Sequence, residues 1–325
     1  MLKVGVVGAG YLGKIHIKLW KEVPTAELIG FFDIDEEEAK KVERDLGVKA
    51  FSDFNSLLHS CDAIDVVSPT VTHYEYVSNT IKANKHCFIE KPLAFSMQEA
   101  GKLVSLTQEA GVTVQVGHVE RFNPAFLAAK NFIERPMFIE SHRLALFNPR
   151  GTDVSVVYDL MVHDIDIVLS IVKSNIRKVS ANAVSVVSDT VDIANARIEF
   201  DNGSVANLTA SRISLKNMRK MRFFQQDAYV SIDFLEKKSD IIKIRQTDKE
   251  EGDGLVIDLG PKKGKKEIYL ENPDIHDSNA ILEELKAFVK AVETNLPPPV
   301  SVEDGFYAMD LAAKIMEKIQ VSVFS

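Results

Sequence analysis

Three spaced glycines between an apolar segment and an amphipathic segment constrain the start of this chain. Residues 2–7 are predicted to form a short buried strand, and residues 14–22 a helix. In the loop between them, Gly8 permits a tight turn, Gly10 lets the backbone approach a phosphate, and Gly13 lets the helix pack closely on the strand. The N-terminus of the helix would add N–H donors for negative charge. The pattern therefore predicts a dinucleotide-binding loop in an α/β domain.

The acidic residue Asp33 follows the second apolar segment, residues 27–32, and lies about 20 residues after the last glycine of the loop. A carboxylate at this position would accept hydrogen bonds from the ribose hydroxyls of a dinucleotide and would repel a 2′-phosphate. The sequence therefore favours NAD over NADP as the cofactor.

Length, charge and cysteine content narrow the class of protein. The chain has 325 residues, enough for two domains, and its net charge of −8 argues against nucleic acid or an anionic membrane as the main partner. A small anionic substrate is still compatible with this charge, because a local group of Arg and Lys can outweigh it. Cys61 and Cys87 are too few and too far apart for a disulfide framework or a thiolate metal site. Both are expected to be small buried residues.

The sequence shows no targeting or membrane segment. Its first strand begins at residue 2, which leaves no room for a signal peptide, and no apolar run approaches the length of a membrane span. We expect a cytoplasmic protein.

Strand and helix patterns divide the chain at about residue 120. Over residues 1–120 short apolar strands alternate with helices, which is typical of a doubly wound parallel sheet. Over residues 121–325 several segments alternate apolar and polar residues without helices between them, which indicates an α+β domain with a mainly antiparallel sheet. Two closing helices, at residues 279–295 and 302–319, belong to this second domain or pack back on the first.

The second domain is predicted to contain a strongly apolar helix over residues 154–173 and another helix over residues 124–134. The charged, glycine-containing stretch 236–266 is expected to form an exposed hairpin. Strands are predicted at residues 137–147, 178–187, 191–200, 204–214, 221–225 and 228–234.

Two polar motifs follow apolar strands of the first domain, at the carboxyl ends where parallel sheets bind ligands. The first, Ser68-Pro69-Thr70-Val71-Thr72-His73, either contacts a dinucleotide or forms a turn with Thr72 as helix N-cap. The second is Glu90-Lys91-Pro92. Lys91 is either a solvated surface charge or a partly desolvated ammonium that donates to a substrate hydroxyl and stabilises a developing alkoxide.

A third motif, in the second domain, combines carboxylates with an imidazole. Asp159 and His163 are four residues apart and Asp166 is three further on, so a helix would place them on one face. Asp164 would point elsewhere. An imidazole held by carboxylates can accept a proton near neutral pH. The alternatives are a helix that is merely ion-paired and a metal site, and we predict no metal because the chain has no further cluster of His or Cys ligands.

Taken in order, these motifs resemble those of the Gfo/Idh/MocA family of oxidoreductases across essentially the whole chain. The matching segments are Gly8–Gly13, Ser68–His73, Glu90-Lys91-Pro92, Gly117 with Arg121-Phe122-Asn123-Pro124, and Asp159 with His163 and Asp166. The resemblance implies an N-terminal NAD-binding Rossmann domain and a C-terminal domain with an open-faced sheet. That second domain would bind the substrate and form a homodimer or homotetramer. The catalytic residues would be Lys91, Asp159 and His163.

The resemblance also implies a set of cofactor-binding residues: Gly8, Ala9, Gly10, Tyr11, Leu12, Gly13, Asp33, Ser68, Pro69, Thr70, His73, Glu90 and Lys91. One departure from the family pattern is Met161, where many members have glycine. Its larger side chain either narrows the substrate site or packs behind it.

Residues 116–124 and 159–166 resemble, more narrowly, the branch of the family that oxidises the 3-hydroxyl of UDP-N-acetylglucosamine, an activity that feeds 3-amino sugars into lipid A. This implies an NAD(P)-dependent oxidoreductase that acts on the CH–OH group of a sugar nucleotide. The cation-rich segment 212–222 suits a diphosphate, or else it is a solvated hairpin or a subunit contact. Candidate substrate-binding residues are Arg121, Asn123, Arg150, Arg212 and Arg219.

Two other functions stay open. One is a dehydrogenase of a free polyol, hexose or inositol, which would have no nucleotide to recognise. The other is a non-catalytic NAD-binding regulator, since the family includes a transcriptional regulator. The presence of Lys91, Asp159 and His163 favours an enzyme.

Overall fold

The computed structural model describes residues 1–148, 154–248 and 254–322. The chain divides into two compact units. The first unit comprises Met1–Phe122 and Ser278–Asp310, and the second comprises Asn123–Asp277 and the chain from Leu311 onward. Each unit is built around a sheet of its own.

The first unit contains a five-stranded parallel sheet. Its strands are β1 (Leu2–Val7), β2 (Ala26–Phe32), β3 (Ala63–Val66), β4 (His86–Glu90) and β5 (Val114–Gly117). They lie in the order β2-β1-β3-β4-β5, and every neighbouring pair is parallel. The strands β3 and β4 are buried almost along their whole length, as expected for a parallel sheet that is covered on both faces. The predicted doubly wound parallel sheet is confirmed.

Five helices connect these strands: α1 (Tyr11–Trp20), α2 (Glu36–Leu46), α3 (Phe54–Ser60), α4 (His73–Lys82) and α5 (Met97–Ala110). Local sequence explains where they begin. The side chain of Ser96 accepts a hydrogen bond from the Glu99 N–H, and the Glu99 carboxylate accepts one from the Ser96 N–H, so α5 starts at a capping box.

The second unit contains a mixed, mainly antiparallel sheet. Its strands are β6 (Phe138–Leu144), β7 (Ile176–Val184), β8 (Ile193–Phe200), β9 (Val205–Ser211), β10 (Met218–Phe224), β11 (Ala228–Asp233), β12 (Lys238–Thr247), β13 (Leu255–Asp258), β14 (Lys265–Glu271) and β15 (Ile319–Ser322). Their order is β13-β14-β12-β11-β10-β6-β9-β8-β7-β15. Two pairs are parallel, β6 with β9 and β7 with β15, and the other pairs are antiparallel. The predicted α+β architecture is confirmed.

Four helices follow α5 along the chain: α6 (Pro124–Ala129), α7 (Val162–Ile171), α8 (Ala280–Thr294) and α9 (Val302–Lys318). The first two belong to the second unit and α8 belongs to the first. The unit boundary falls within α9, after Asp310.

Two predicted helices of the second unit differ from the structure. The helix predicted over 154–173 is a π-helical turn, Val157–Met161, followed by the shorter α7. The helix predicted over 124–134 ends at Ala129 and continues as a 3₁₀ turn. The spacing of apolar residues along the sequence cannot distinguish an α-helix from a 3₁₀ or π-helical turn, because each of them buries one stripe of side chains.

The charged stretch 236–266 extends the main sheet instead of forming a separate exposed hairpin. It supplies β12, β13 and the start of β14, and β12 pairs with both β11 and β14. Ser239 and Ile241 alternate with exposed charged residues along β12, so one side of the strand is buried despite the charge. The closing strand β15 was not predicted.

No helix in the described part of the chain combines the length and the apolar composition needed to cross a membrane. Cys61 and Cys87 are free and buried, which confirms the expectation for both. Burial raises the pKa of the Cys61 thiol to about 12, so this side chain stays uncharged.

Candidate active site

The glycine loop lies at the carboxyl end of β1, where the fold itself requires two of its glycines. Gly8 has φ +100°, a conformation that side-chain-bearing residues rarely adopt, and an added Cβ would lie 2.8 Å from the Ser68 nitrogen. An added Cβ on Gly13 would overlap the Gly8 carbonyl oxygen, because α1 packs directly on the loop. These two positions are explained by the folded protein alone.

Gly10 is different, because a Cβ built there would meet nothing within 4 Å among the described residues. It is the N-cap residue of α1, and no side chain caps this helix. A side chain at this position would occupy the space in front of the helix N-terminus, where unpaired N–H donors attract a phosphate. The loop therefore fits the pyrophosphate of a dinucleotide, and Tyr11 and Leu12 begin the helix behind it.

Asp33 lies against this loop. One carboxylate oxygen, Oδ2, accepts a hydrogen bond of 2.6 Å from the Ala9 N–H, and Oδ1 accepts one of 2.9 Å from the Asp35 N–H. Neighbouring parallel strands bring these residues together, since β1 and β2 end at the same edge of the sheet. The negative charge thus stands beside the glycine loop, where it would oppose a 2′-phosphate.

The turn after β3 and the turn after β4 are joined by His73. Its Nδ1 lies 2.8 Å from the Pro92 carbonyl oxygen and its Nε2 lies 2.8 Å from the Ser68 carbonyl oxygen. Burial lowers the pKa of His73, although the two carbonyl oxygens act in the opposite direction. A neutral imidazole donates from one nitrogen only, so one of these contacts carries the hydrogen bond at a time.

Thr72 is the N-cap residue of α4, as one of the two alternatives had it, but its side chain makes no capping hydrogen bond. It stands at the N-cap position in helical conformation, and its hydroxyl donates to the Pro69 carbonyl oxygen at 2.8 Å. The same hydroxyl lies 2.8 Å from the Ser68 Oγ, which stabilises the turn Ser68–Thr72 from within. The backbone of Pro69 and Thr70 lies in that turn, at the carboxyl end of the buried strand β3.

Lys91 follows the last residue of β4 and is half-buried. Its N–H donates to the Oε2 of Glu90 at 3.2 Å, and the peptide bond to Pro92 is cis. Glu90 is itself nearly buried. The partial burial is what a lysine needs if its ammonium is to act on a substrate oxygen and not only on water.

In the second unit, Asp159 lies in the π-helical turn and His163 lies in the first turn of α7. The predicted single α-helical face is therefore wrong, because the backbone changes from i→i+5 to i→i+4 hydrogen bonding between the two residues. Asp159 is exposed, His163 is half-buried and Asp166 is buried. Single π-helical turns occur frequently at functional sites.

Asp164 points away from this motif, as predicted, and forms a buried ion pair with Arg143. The Nη2 of Arg143 lies 2.9 Å from Oδ1, and Nε lies 3.1 Å from Oδ2. Both side chains are almost fully buried, so α7 is held on the sheet through β6. Arg143 was not predicted from the sequence.

Comparisons with known proteins agree with this geometry. Residues 2–118 match a model described as "Oxidoreductase family, NAD-binding Rossmann fold", and residues 142–231 match the "GFO/IDH/MocA C-terminal domain". The chain is 33% identical, over 99% of its length and 98% of the relative's, to UDP-N-acetylglucosamine 3-dehydrogenase of Acidithiobacillus ferrooxidans. The chain belongs to the Gfo/Idh/MocA family. It is accordingly an NAD-dependent oxidoreductase acting on CH–OH groups.

Other family members are similar over most of their length. Myo-inositol 2-dehydrogenase of Thermotoga maritima is 28% identical over 95% of this chain and 93% of the relative. A solved structure of the Acidithiobacillus ferrooxidans UDP-N-acetylglucosamine 3-dehydrogenase superposes with a TM-score of 0.87 at 31% identity. It covers 98% of this chain and 97% of that chain.

Met161, the departure from the usual Gfo/Idh/MocA glycine, is fully buried in the second unit. Of the two alternatives, packing behind the site is the one that agrees with this burial. Met161 is the last residue of the π-helical turn that carries Asp159.

The candidate substrate-binding residues differ in how the fold uses them. The guanidinium of Arg121 contacts the Pro299 carbonyl oxygen and Asp304 within the first unit. Asn123 is the N-cap of α6 and also donates to the Phe234 carbonyl oxygen at 3.0 Å. Both side chains thus have structural contacts, whatever else they bind.

Arg212, another substrate candidate, is buried. It donates to the Val154 carbonyl oxygen and lies 3.8 Å, Nε to Oδ1, from Asp192. Arg219 is on β10 and is exposed. Arg150 lies outside the described residues.

A second set of residues in the first unit was not predicted from the sequence: His16, Asp65 and Glu284, all fully buried. They were overlooked because each is a single polar residue inside an apolar pattern, which gives no periodic signal of its own. No group of three or more His, Cys, Asp or Glu side chains within the described ranges could hold a metal ion.

Proposed function

We propose that this protein oxidises the 3-hydroxyl of UDP-N-acetylglucosamine and uses NAD as the hydride acceptor. The observation that carries the proposal is the 33% identity to a relative of that name along almost the full length of both chains. The match includes the second unit, which in this proposal determines the substrate. The motifs around Lys91 and His163 are present as well.

The glycine loop and Asp33 would hold the cofactor. The backbone at Gly10 and the first turn of α1 offer N–H donors to its pyrophosphate, and Asp33 offers a carboxylate to its ribose hydroxyls. When bound, NAD supplies the electron-pair acceptor of the reaction. The protein's contribution is to align the groups and to stabilise the charge that develops.

We assign three residues to the substrate hydroxyl. His163 accepts the hydroxyl proton as general base, and Asp159 orients its imidazole and stabilises the charged form. The Lys91 ammonium donates a hydrogen bond to the same oxygen as negative charge develops on it. The resulting carbonyl oxygen keeps the lysine hydrogen bond until the product leaves.

For the diphosphate we assign the exposed cations of the loop and strand that follow β9, Lys216 and Arg219. Arg212 is assigned a structural role, because its guanidinium is buried against Asp192 and Val154. The Arg219 guanidinium can donate two hydrogen bonds to one phosphate, and Lys216 adds a second positive charge.

A second function has support of its own. The 28% identity to a myo-inositol 2-dehydrogenase also spans nearly both whole chains, and the same catalytic groups would serve a free cyclitol. The two functions differ in the nucleotide, since an inositol dehydrogenase has no need to bind UDP.

The deciding experiment measures NADH formation with UDP-N-acetylglucosamine, UDP-N-acetylgalactosamine, free N-acetylglucosamine and myo-inositol. We expect turnover with the first substrate, and we expect UDP alone to raise the melting temperature through binding to the folded state. Turnover with inositol and no response to UDP would support the second function. Catalysis with none of the four, together with tight NAD binding, would instead favour a regulator.

The proposal also places the protein in the cytoplasm, ahead of a transamination. A 3-keto sugar nucleotide is the carbonyl compound that an aminotransferase would need to make a 3-amino sugar, such as those of lipid A.

We further propose a homodimer or homotetramer formed through the sheet of the second unit. Along β8 every second side chain is buried and the others are largely left open on the opposite face. Light scattering of the purified protein tests the oligomeric state.

A further inference from the structure

A buried cluster of ionisable side chains lies beside the strand that carries Lys91. His16 on α1 places Nδ1 2.9 Å from the Oδ2 of Asp65, on β3, and Nε2 3.3 Å from the Oε1 of Glu90, on β4. Trp20 donates its indole N–H to the same Asp65 oxygen at 2.7 Å. Glu284, on α8, is also fully buried and faces the cluster. The proposed reaction uses none of His16, Asp65 and Glu284.

The charges of this cluster follow from its geometry. Burial lowers the pKa of His16, but the carboxylates of Asp65 and Glu90 outweigh it and raise that pKa well above its usual value. Burial, with repulsion from Glu90 and Asp65, raises the pKa of Glu284 well above its usual value. Both shifts favour the protonated forms, an imidazolium at His16 and a carboxylic acid at Glu284.

Glu90 connects this cluster to the lysine. Its Oε1 lies 3.3 Å from the His16 Nε2, and its Oε2 accepts the N–H of Lys91 at 3.2 Å. On the remaining side lies Gly117, where an added Cβ would come within 2.8 Å of Oε1. The Glu90 carboxylate is thus confined on three sides, by Gly117 of β5, by His16 of α1 and by the backbone of Lys91. It is the link between the interior of the sheet and the start of the Glu90-Lys91-Pro92 turn.

We propose that His16 and Glu90 are positioning residues, through which the buried Asp65–His16–Glu90 chain fixes the backbone at Lys91 and hence the place of its ammonium. The inference rests on the role given to Lys91 in the proposed function. Neither residue touches the substrate in this scheme. Their effect on turnover passes through Lys91 and disappears when the ammonium is absent.

A double-mutant cycle between His16→Gln and Lys91→Ala tests this. We expect His16→Gln to lower kcat by roughly 10- to 100-fold, as displaced positioning groups do, with little change in the dissociation constant of NADH. In the Lys91→Ala background the same substitution should change kcat less than about twofold. A merely structural role would lower kcat by equal factors in both backgrounds, and that result would overturn the inference.

The matched control is His59→Gln, the same substitution at an exposed histidine of α3 in the same unit, which should leave kcat unchanged. If His16→Gln does not fold, Glu90→Gln replaces it in the cycle, because this variant keeps the His16–Asp65 pair. If a folded His16→Gln or Glu90→Gln variant keeps the wild-type kcat, the positioning role is overturned while the assignment of Lys91 stands. Wild-type kcat in Lys91→Ala refutes the assignment of Lys91 itself, and the positioning role with it.

Discussion

The Nδ1 atom of His73 lies 2.8 Å from the carbonyl oxygen of Pro92, which couples the turn after β3 to the turn after β4. The other ring nitrogen makes an equally short contact with Ser68. The two sequence motifs that were predicted separately at the edge of the parallel sheet are therefore one connected structure. A buried imidazole holds it together.

Replacing His73 with Phe should lower the free energy of unfolding by about 1–3 kcal/mol, because the carbonyl oxygen that accepts its hydrogen bond loses its donor. The effect should depend on pH with a defined sign. Burial lowers the pKa of His73 in the folded protein. Its contribution to the free energy of unfolding is therefore present above the unfolded pKa of about 6.5 and is lost as the pH falls through the folded pKa. Urea unfolding of both proteins across this range measures the difference, which should shrink in acid. A constant difference would contradict the neutral imidazole.

Lys91→Ala should reduce turnover by ~10²–10³, the usual cost of losing a donor to a developing oxyanion. Binding of NADH, followed by fluorescence, should survive. Lys40→Ala, which removes an exposed lysine from α2, is the control and should keep full activity. A residual rate near that of the wild type, with cofactor binding lost, would show that the lysine serves the cofactor and not the substrate.

Gly10→Ala and Gly13→Ala form a matched pair with opposite expected outcomes. At Gly10 the new methyl meets open space, so the melting temperature should stay close to the wild-type value while NAD affinity falls roughly tenfold or more. At Gly13 the methyl overlaps backbone, so stability should fall by about 1–3 kcal/mol or more. Calorimetry and NADH titration separate the two effects. Normal NAD affinity in Gly10→Ala would exclude close approach of the pyrophosphate to that residue.

Asp33→Ser should weaken NAD binding roughly tenfold to a hundredfold, since hydrogen bonds to a charged carboxylate are lost, and should reduce discrimination against NADP. The relevant quantity is the ratio of kcat/KM for the two cofactors. The loss of the Ala9 hydrogen bond also loosens the glycine loop, so the melting temperature is measured alongside. An unchanged ratio would mean that Asp33 only supports the loop.

Arg143→Met should destabilise the protein by about 3–5 kcal/mol, because it leaves the buried Asp164 carboxylate without its ion-pair partner. Adding Asp164→Leu should restore much of that stability, as apolar replacement of both partners removes the uncompensated charge. Denaturant unfolding of the single and double variants checks this. If the double variant is no more stable than Arg143→Met, the cost arises from packing and not from charge.

Local patterns were enough to predict the glycine loop and the position of Asp33 beside it. Gly8 and Gly13 are required by a tight turn and by a helix that packs on it, and both constraints act between residues close in sequence. The position of Asp33 follows from the adjacency of two consecutive strands. Alternation of apolar and polar residues also predicted most strands of the second sheet, since one buried face requires that period.

Other features depend on residues far apart in the chain. The spacing of apolar residues does not reveal the π-helical turn that carries Asp159. Nor does the cation-rich segment 212–222 reveal that Arg212 is buried close to Asp192. The charged strand β12 is part of the sheet because it forms hydrogen bonds with β11 on one side and with β14 on the other. Each of these outcomes is decided by which groups the fold brings together.

The sequence by itself determined the class of fold and the glycine loop, because backbone sterics and burial periods are local properties. Tertiary structure alone assembled the buried ionisable cluster. Asp65, Glu90 and Glu284 come from two strands and a helix. Burial, with repulsion from the nearby carboxylates, raises the pKa of Glu284. Attraction to Asp65 and Glu90 raises the pKa of His16 despite its burial. Desolvation and Coulomb interactions depend on distances in space, and no spacing along the chain specifies them.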